Sequence, residues 1–228
     1  MVSRRRQRVR STTFLALVLG AIALGGLYVL GRAEDLPSLA EGRLPVIAHD
    51  AYLAASAASP TVAAECAVHW TVLAGIAQVE SRHGIFEPEH RLTDTGDVLP
   101  EIRGRALDGT GGTAALPDTD GGELDGDATW DRALGPLQFI PSTWRELGRD
   151  GNGDGVADPD NLYDAALTAA AHLCLRAPGN YEEREDLRAA LVAYNPSGRY
   201  AEEVLRWIQW YRTEPLAEVI EELEPDSG

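Results

Sequence analysis

The stretch Val72-Leu-Ala-Gly-Ile-Ala-Gln-Val-Glu-Ser-Arg-His-Gly84 predicts the central helix of the fold. Its apolar residues recur at three- and four-residue spacing, as on one face of an α-helix. The same face carries a carboxylate, Glu80, in the last turn. Upstream, Ser59-Pro60 offers a capping residue followed by a proline suited to the first helical position. We therefore expect a helix that starts at Pro60 and ends at Gly84, where glycine is favoured.

The position of Glu80 indicates a perturbed carboxyl group. Burial against the apolar face and the partial negative charge at a helix C-terminus both raise the pKa of a carboxyl group. A glutamate that keeps its proton near neutral pH is suited to act as a general acid on a glycosidic oxygen. The alternative is that Glu80 forms an ordinary surface ion pair with Arg82 or another arginine.

Composition limits the class of protein. The 228 residues carry a net charge of −16, and 44% of them are hydrophobic. Six arginines and no acid lie in the first 33 residues, so the remainder carries −22. Such acidity excludes a generic nucleic-acid binder. The apolar content is that of a globular protein, and the length favours one domain.

The N-terminal segment, residues 1–33, has the pattern of an export signal. Arginine-rich Met1–Arg10 precedes an uncharged apolar run, Phe14–Leu30. The segment is either a cleaved signal peptide, with a small-residue site at Gly31-Arg32-Ala33, or an uncleaved membrane anchor. Either reading predicts an exported protein that is anchored at the extracytoplasmic face of the membrane or secreted.

Export makes the two cysteines informative. Because exported proteins fold in an oxidising compartment, we expect Cys66 and Cys174 to form a disulfide rather than two buried thiols. Such a bond would close a loop of about a hundred residues and contribute on the order of 4 kcal/mol. The absence of a CxxC motif or Cys/His cluster leaves a zinc site unsupported.

The exported part divides into three regions. Residues 34–59 resemble a stalk, in which 46–58 could form a first helix, and residues 60–213 form the domain. Residues 214–228 form an acidic tail that we expect to be a frayed helix or a solvated end. Within the domain, residues 85–130 are rich in Gly, Asp, Thr and Pro and predict a long loop insertion, which could form short strands, wall a groove or be a solvated insertion. Helical periodicity then returns in four segments: Pro141–Leu147, Leu162–Leu175, Asp186–Ala193 and Tyr200–Tyr211.

Two further motifs carry polar side chains suited to binding a sugar. Gly135-Pro-Leu-Gln-Phe-Ile-Pro-Ser-Thr-Trp144 presents the amide of Gln138 after a glycine turn. Ala193-Tyr-Asn-Pro-Ser-Gly-Arg-Tyr200 presents Tyr194 and Asn195 where proline ends a helix. These side chains could hydrogen-bond an acetamido group or a hydroxyl. Taken singly, each motif is more typical of packing and capping.

In combination, the three motifs resemble the bacterial lytic murein transglycosylases, in particular the membrane-bound lytic transglycosylase B type. The resemblance extends over residues 62–211. It implies a lysozyme-like, mainly helical α+β fold with a groove between two lobes. It also implies that Glu80 is the catalytic acid and base, and that peptidoglycan glycan strands are the substrate. The residues then expected to bind the substrate are Ser81, Gln138, Phe139, Tyr194, Asn195 and Tyr200.

A fourth motif, Asp150-Gly-Asn-Gly-Asp-Gly-Val-Ala-Asp-Pro-Asp-Asn161, is close to an EF-hand loop. Its spacing predicts a structural calcium site of weak, extracellular-type affinity. Asn161 stands where the EF-hand has a bidentate glutamate, and Asp160 or Asp164 could take its place as a ligand; the alternative is a turn without metal. The predicted ligands are Asp150, Asn152, Asp154, the Val156 carbonyl, Asp158 and Asn161. No organic cofactor is expected.

Two rival functions stay open on the sequence. A muramidase would hydrolyse the same bond with a second carboxylate, supplied by Asp118, Asp120, Asp125 or Asp127. A non-catalytic module would use the same groove to bind wall glycan. The expected partners are the glycan strands and, through the N-terminal segment, the membrane; no nucleic acid is expected.

Overall fold

The computed structural model describes residues 41–85 and 87–221. The predicted export segment and the first part of the predicted stalk lie outside the described residues, as does the end of the acidic tail. Within the described residues, no helix is both long and apolar enough to cross a membrane.

Seven helices occur in the described part of the chain. The α3 and α4 helices match the periodicity to within one residue, and α5 and α6 extend the predicted segments by one or two residues at each end. The helices are α1 (Val46–Val62), α2 (Trp70–Ser81), α3 (Pro141–Leu147), α4 (Leu162–Arg176), α5 (Arg184–Tyr194), α6 (Gly198–Thr213) and α7 (Leu216–Val219).

The predicted helix start at Ser59-Pro60 is wrong, because α1 runs through both residues and ends at Val62. A proline inside a helix removes one N–H donor, which here would have bonded the Ser56 carbonyl. The hydroxyl of Ser59 donates to that carbonyl instead, at 2.9 Å. The α2 helix begins at Trp70, and the imidazole of His69 accepts the N–H of Thr71 as its N-cap.

The α1 helix belongs to the domain and not to a stalk. Ala48, Ala51, Tyr52 and Ala55 are buried, and α1 packs along α4. Residues 165–171 of α4 are largely buried alanine, and such small side chains let two helices approach closely. The boundary expected at residue 59 therefore moves upstream, to at least Leu44, which is fully buried.

The predicted disulfide between Cys66 and Cys174 is confirmed. It joins the segment between α1 and α2 to the last turn of α4. The bond fastens the helix that carries Glu80 to the helix on which α1 packs.

The strands are short and form three two-stranded pairs. Antiparallel pairs join β2 (Arg91–Leu92) to β3 (Val98–Leu99) and β4 (Arg103–Ala106) to β5 (Arg132–Leu134). The insertion is thus folded into short strands, one of the forms expected for it. The third pair is parallel, between β1 (Leu44–Pro45) and β6 (Ile220–Glu221).

The β1–β6 pair corrects the prediction for the start of the acidic tail. Val219 is buried and Ile220 pairs with Leu44, so residues 216–221 are part of the folded domain. Tertiary packing of these apolar side chains outweighs the acidic composition of the segment. Seven helices and short paired strands in the described residues confirm the mainly helical α+β class.

Candidate functional site

Glu80 lies in the last turn of α2 and is partly buried. Burial raises the pKa of its carboxyl group from 4.5 to about 8, and the nearby hydroxyl of Tyr200 opposes that rise. No cation contributes to this pKa, so an ion pair with Arg82 does not set it. The carboxyl group therefore keeps its proton at neutral pH, as a general acid requires.

Two buried tyrosines face Glu80 from α5 and α6. Tyr194 ends α5, and Tyr200 lies in the first turn of α6. Burial and the negative charge of an ionised Glu80 both raise the pKa of these phenols well above 10. Both hydroxyls are thus neutral hydrogen-bond donors. The Tyr200 hydroxyl has no well-formed hydrogen bond among the described residues, whereas that of Tyr194 donates to the Leu137 carbonyl at 2.9 Å.

A tight turn between β5 and α3 brings the Gly135–Phe139 motif to the same place. The backbones of Leu134 and Phe139 exchange two hydrogen bonds, of 2.8 and 3.0 Å. Gln138 has a left-handed φ of 51°, and its amide nitrogen donates to the Gly135 carbonyl at 2.8 Å. The Gln138 side chain therefore folds back onto Gly135, the first residue of the turn.

Ser81 connects Glu80 to this turn. Its buried hydroxyl donates to the Pro136 carbonyl at 2.6 Å and accepts the N–H of Gly84 at 2.8 Å. Both hydrogen-bonding functions of Ser81 are thus used inside the protein. The structure gives Ser81 a positioning role, since it joins the end of α2 to the Gly135–Phe139 turn.

Phe139 and Asn195 complete the residues predicted for substrate binding. Phe139 is buried, with its ring 5.4 Å from that of Trp144 and 5.8 Å from that of Tyr194. Asn195 is buried and is the C-cap of α5. The structure thus gathers Glu80, Ser81, the Gly135–Phe139 turn and both tyrosines in one place, from three segments that are distant in sequence.

His83, to which no sequence motif assigned a role, is fully buried. Its Nδ1 lies 3.0 Å from the hydroxyl of Tyr52, and its Nε2 lies 2.9 Å from that of Tyr211. Burial lowers the pKa of the imidazole to about 3, so the ring is neutral. The two tyrosines are 31 and 128 residues away, and no pattern in the sequence pairs them with His83.

Asp164 of α4 binds the backbone of the EF-hand-like loop. Its fully buried carboxylate accepts the N–H groups of Gly151, Asn152 and Asp158, at 2.7, 3.1 and 2.8 Å. Asp150 closes the loop by accepting the N–H groups of Gly153 and Gly155. Carboxylate, amide and carbonyl oxygens at 150, 152, 154, 156 and 158 are a donor set that suits Ca²⁺.

Asn161 has a different role from the ligand predicted for it. Its oxygen accepts the N–H of Tyr163 and so caps α4. Its nitrogen donates to the Thr95 carbonyl and to Asp97 at 3.0 and 2.8 Å. Asn161 therefore joins the loop to the β2–β3 hairpin, and its amide is fully used there. Asp160, one of the two replacement ligands considered for Asn161, is paired with Arg103 at 2.7 Å.

A second acidic group lies in the insertion. The oxygens of Asp118, Asp120 and Asp131 lie within 4.8 Å of one another. Asp118 and Asp120 accept backbone N–H groups of residues 120–124, and Asp131 accepts the N–H and hydroxyl of Thr119. These contacts show the carboxylates shaping the insertion.

Comparison with known proteins gives one family match. Residues 115–187 match the model of the transglycosylase SLT domain. The matched range contains the Gly135–Trp144 motif, the EF-hand-like loop and α4; Glu80, Tyr194 and Tyr200 lie outside it. Among curated proteins, none matches this chain in sequence.

Two solved structures resemble the chain. One is the Escherichia coli lytic transglycosylase Slt35 in complex with bulgecin A, at 17% identity and a TM-score of 0.46, covering 79% of this chain and 74% of that one. The other is the same protein in complex with calcium, at 18% identity and a TM-score of 0.45, covering 79% and 75%. The family match therefore indicates that residues 115–187 are similar to a transglycosylase SLT domain.

Proposed function

We propose that this protein cleaves the β-1,4 bond between N-acetylmuramic acid and N-acetylglucosamine in peptidoglycan, with Glu80 as its single acid and base. One observation carries the proposal: Glu80 has a pKa of about 8 and faces two neutral tyrosines beside the Gly135–Phe139 turn. The transglycosylase SLT domain in the same chain supports the substrate class.

The first step breaks the bond between C1 of the muramyl residue and the linking oxygen. Protonated Glu80 gives its proton to that oxygen, which leaves with the bonding electron pair. The muramyl acetamido group stabilises the positive charge that develops at C1. The neutral hydroxyls of Tyr194 and Tyr200 and the amides of Gln138 and Asn195 are suited to orient that group and the sugar ring.

The second step closes a ring in place of adding water. Glu80, now ionised, takes the proton from the C6 hydroxyl of the same sugar, and the C6 oxygen forms a bond to C1. The product is a 1,6-anhydromuramyl end, and Glu80 regains its starting proton. Because the attacking oxygen belongs to the substrate, the reaction gains from proximity and needs no second carboxylate.

The aspartates of the insertion support a single-carboxylate mechanism. Asp118 and Asp127 accept several backbone N–H groups, which lower their pKa. Asp120 and Asp125 likewise accept backbone N–H groups, including those of Leu124 and Arg132. Each of the four rival carboxylates is thus engaged within its own loop, as expected of residues that shape it.

Digestion of purified peptidoglycan by the full chain tests the proposal. We expect soluble products that lack the mass of one water relative to hydrolysis products, as measured by mass spectrometry. The Glu80→Gln variant should lose activity by at least about 10²-fold, because an amide cannot donate or accept the proton. The matched control is Glu87→Gln, an exposed glutamate in the loop after α2, which should retain activity.

Two other outcomes identify the rivals. Products of hydrolytic mass would favour a muramidase and direct variants to Asp118, Asp120, Asp125 and Asp127. No product from any folded form, with glycan still bound, would favour a binding module and overturn the proposal.

We also propose that the EF-hand-like loop binds a structural calcium ion through Asp150, Asn152, Asp154, the Val156 carbonyl and Asp158. The oxygen donors fit a hard cation, and buried Asp164 already orients the loop backbone through three N–H groups. Bound calcium would add positive charge among these acids and join the loop more firmly to α4.

Equilibrium unfolding measures the calcium site without reference to activity. For an extracellular-type Kd of about 10⁻⁴ to 10⁻³ M, 10 mM calcium should raise the free energy of unfolding by about 1 to 3 kcal/mol. Asp154→Ala should abolish this gain, and the control Asp94→Ala, at an exposed site outside the loop, should keep it. An equal response of both variants would place the effect elsewhere.

The N-terminal pattern supports export, so we propose that the enzyme works on the extracytoplasmic side of the membrane. Fractionation of cells that express the full chain tests this. Sedimentation with membranes and resistance to salt extraction are expected for an anchor, whereas a shortened chain in the soluble fraction is expected for a cleaved signal. A full-length chain in the cytoplasm would contradict both.

A further inference from the structure

The turn that follows Glu80 has an unusual backbone. Arg82, His83 and Gly84 have successive φ values of 51°, 62° and 88°, all in the left-handed region. Residues other than glycine pay on the order of 1 kcal/mol or more for this conformation, and they keep it only when their surroundings impose it. Something beyond the local sequence must therefore hold this turn.

Backbone hydrogen bonds hold part of the turn. The N–H of Arg82 donates to the Gln78 carbonyl, and that of His83 donates to the Ala77 carbonyl, so the last carbonyls of α2 are satisfied. A side chain would meet Val98 at 2.7 Å if Gly84 carried one. The turn is thus closely packed against β3.

The side chain of His83 provides the remaining contacts that hold this turn. Its two nitrogens contact hydroxyls from α1 and α6, so three helices meet at one imidazole. The Tyr211 hydroxyl lies 3.5 Å from the Gln78 side-chain oxygen, and the Gln78 nitrogen donates to the Glu41 carbonyl.

These contacts favour one assignment of donor and acceptor for each hydrogen bond in the group around His83. With Tyr211 donating to Gln78, its oxygen accepts from Nε2–H of His83, and Nδ1 accepts from the hydroxyl of Tyr52. A neutral imidazole with one donor and one acceptor satisfies this chain, and a charged one would not. His83 therefore acts as a hydrogen-bonding link, and takes no part in proton transfer.

The same two helices that meet at His83 also meet at Glu80. Glu80 and His83 both lie at the end of α2, and Tyr200 and Tyr211 lie on α6 about three turns apart. A contact between His83 and Tyr211 thus limits how the end of α2 can shift or rotate against α6. The same limit applies to the separation of the Glu80 carboxyl group and the Tyr200 hydroxyl.

We propose that His83, held between Tyr52 and Tyr211, is a positioning residue that fixes the last turn of α2 and thereby the place of the Glu80 carboxyl group. The inference rests on the proposed role of Glu80 as the acid and base. The ends of helices often fray. The contacts of His83 explain why the carboxyl group of Glu80, in the last turn of α2, nevertheless has one defined position.

Removing one hydroxyl at a time tests the link with little risk to folding. Tyr52→Phe and Tyr211→Phe should each lower kcat by about tenfold and leave KM within about twofold, because a misplaced acid affects the reaction more than binding. The control is Tyr181→Phe, which removes a hydroxyl bond to the Ala177 carbonyl and should leave kcat unchanged.

Replacing the imidazole itself separates hydrogen bonding from packing. His83→Phe should lower kcat by about a hundredfold, and His83→Gln should recover most of the loss, since an amide offers both a donor and an acceptor. The high-pH limb of the rate should also move to lower pH in His83→Phe, as a loosened turn admits water to Glu80. Wild-type kcat in both tyrosine variants would overturn the proposal, as would equal activity of His83→Gln and His83→Phe.

Hydrogen exchange distinguishes failure of this inference from failure of the proposed function. Inactivity of the wild type itself would remove the proposed function. In that case the amides of His83 and Gly84 still report on the link, and they should exchange at least about tenfold faster in Tyr52→Phe than in Tyr181→Phe. Equal exchange in the two variants would overturn the link whatever the activity.

Discussion

At the scale of single residues, the local environment separates acids that look alike in the sequence. The carboxyl group of Glu80 is shielded from solvent and no cation stabilises its charge, so its pKa rises to about 8. Asp160 is also buried, which raises its pKa, but Arg103 and the N–H of Ile102 stabilise its charge and oppose the rise. A buried acid with a charge partner serves structure, whereas one that keeps its proton is available for chemistry.

The raised pKa of Glu80 has a consequence for stability. Unfolded Glu80 ionises above its ordinary pKa of 4.5, while folded Glu80 stays protonated until about pH 8. Between these values the unfolded state binds fewer protons, so the free energy of unfolding falls as pH rises. Glu80→Gln removes this loss. We expect the variant to be more stable than wild type by on the order of 1 to 3 kcal/mol at pH 8 and nearly equal to it at pH 4.

Urea unfolding at the two pH values measures this difference. The exposed Glu87→Gln variant serves as the control and should follow the wild type at both pH values. A Glu80→Gln curve parallel to that of wild type would contradict the raised pKa.

At the scale of elements, one turn connects several parts of the site. The Gly135–Phe139 turn contacts α2 through Ser81, contacts α5 through Tyr194 and abuts the end of the EF-hand-like loop. A side chain at Gly135 would meet the Pro159 carbonyl oxygen at 1.8 Å, and its φ is 64°. The glycine is therefore required both for its backbone conformation and for the space beside it.

Two glycines with similar backbones provide a matched test of this contact. Gly135→Ala should lower the free energy of unfolding by about 2 to 4 kcal/mol. The strain of a left-handed backbone and the clash of the new methyl group with Pro159 both contribute to this loss. Gly153→Ala, with φ of 80° but nothing within 4 Å, should cost only about 1 kcal/mol. Equal losses in urea unfolding would show that backbone strain alone accounts for the effect.

At the scale of the whole molecule, contacts between distant segments define the domain. The α1 helix packs on α4, β1 pairs with β6, and the disulfide joins residues 108 apart in sequence. The two ends of the described chain therefore meet, and α1 supplies Tyr52 to the group around His83. The domain is larger than the 60–213 range expected from the sequence.

Loss of the disulfide should lower stability mainly through the unfolded chain. The chain-entropy model predicts about 5 kcal/mol for a loop of this length. We expect a reductant to shift the urea midpoint of the wild type and to leave a Cys66→Ala/Cys174→Ala double variant unchanged. Lytic activity of that variant should persist below its unfolding temperature. A wild type that does not respond to reductant would contradict the estimate.

The sequence by itself determined the features that depend on neighbours along the chain. Periodicity located four helices to within two residues, because one buried stripe repeats every three or four positions. Oxidative export predicted the cysteine pair, and burial on the apolar face of its helix predicted the raised pKa of Glu80. The motifs that name the site are likewise local, since each is a short run around one turn or one helix end.

Only the tertiary structure decided the features that depend on contacts across the chain. Composition suggested a stalk and a solvated tail, yet Tyr52 of α1 and Val219 are buried, and α1 packs against α4, far away in sequence. Ser81, His83 and Asn161 have their roles through distant carbonyls, hydroxyls and carboxylates. A hydrogen bond is set by distance and direction in space, which a pattern of residue types along one chain does not contain.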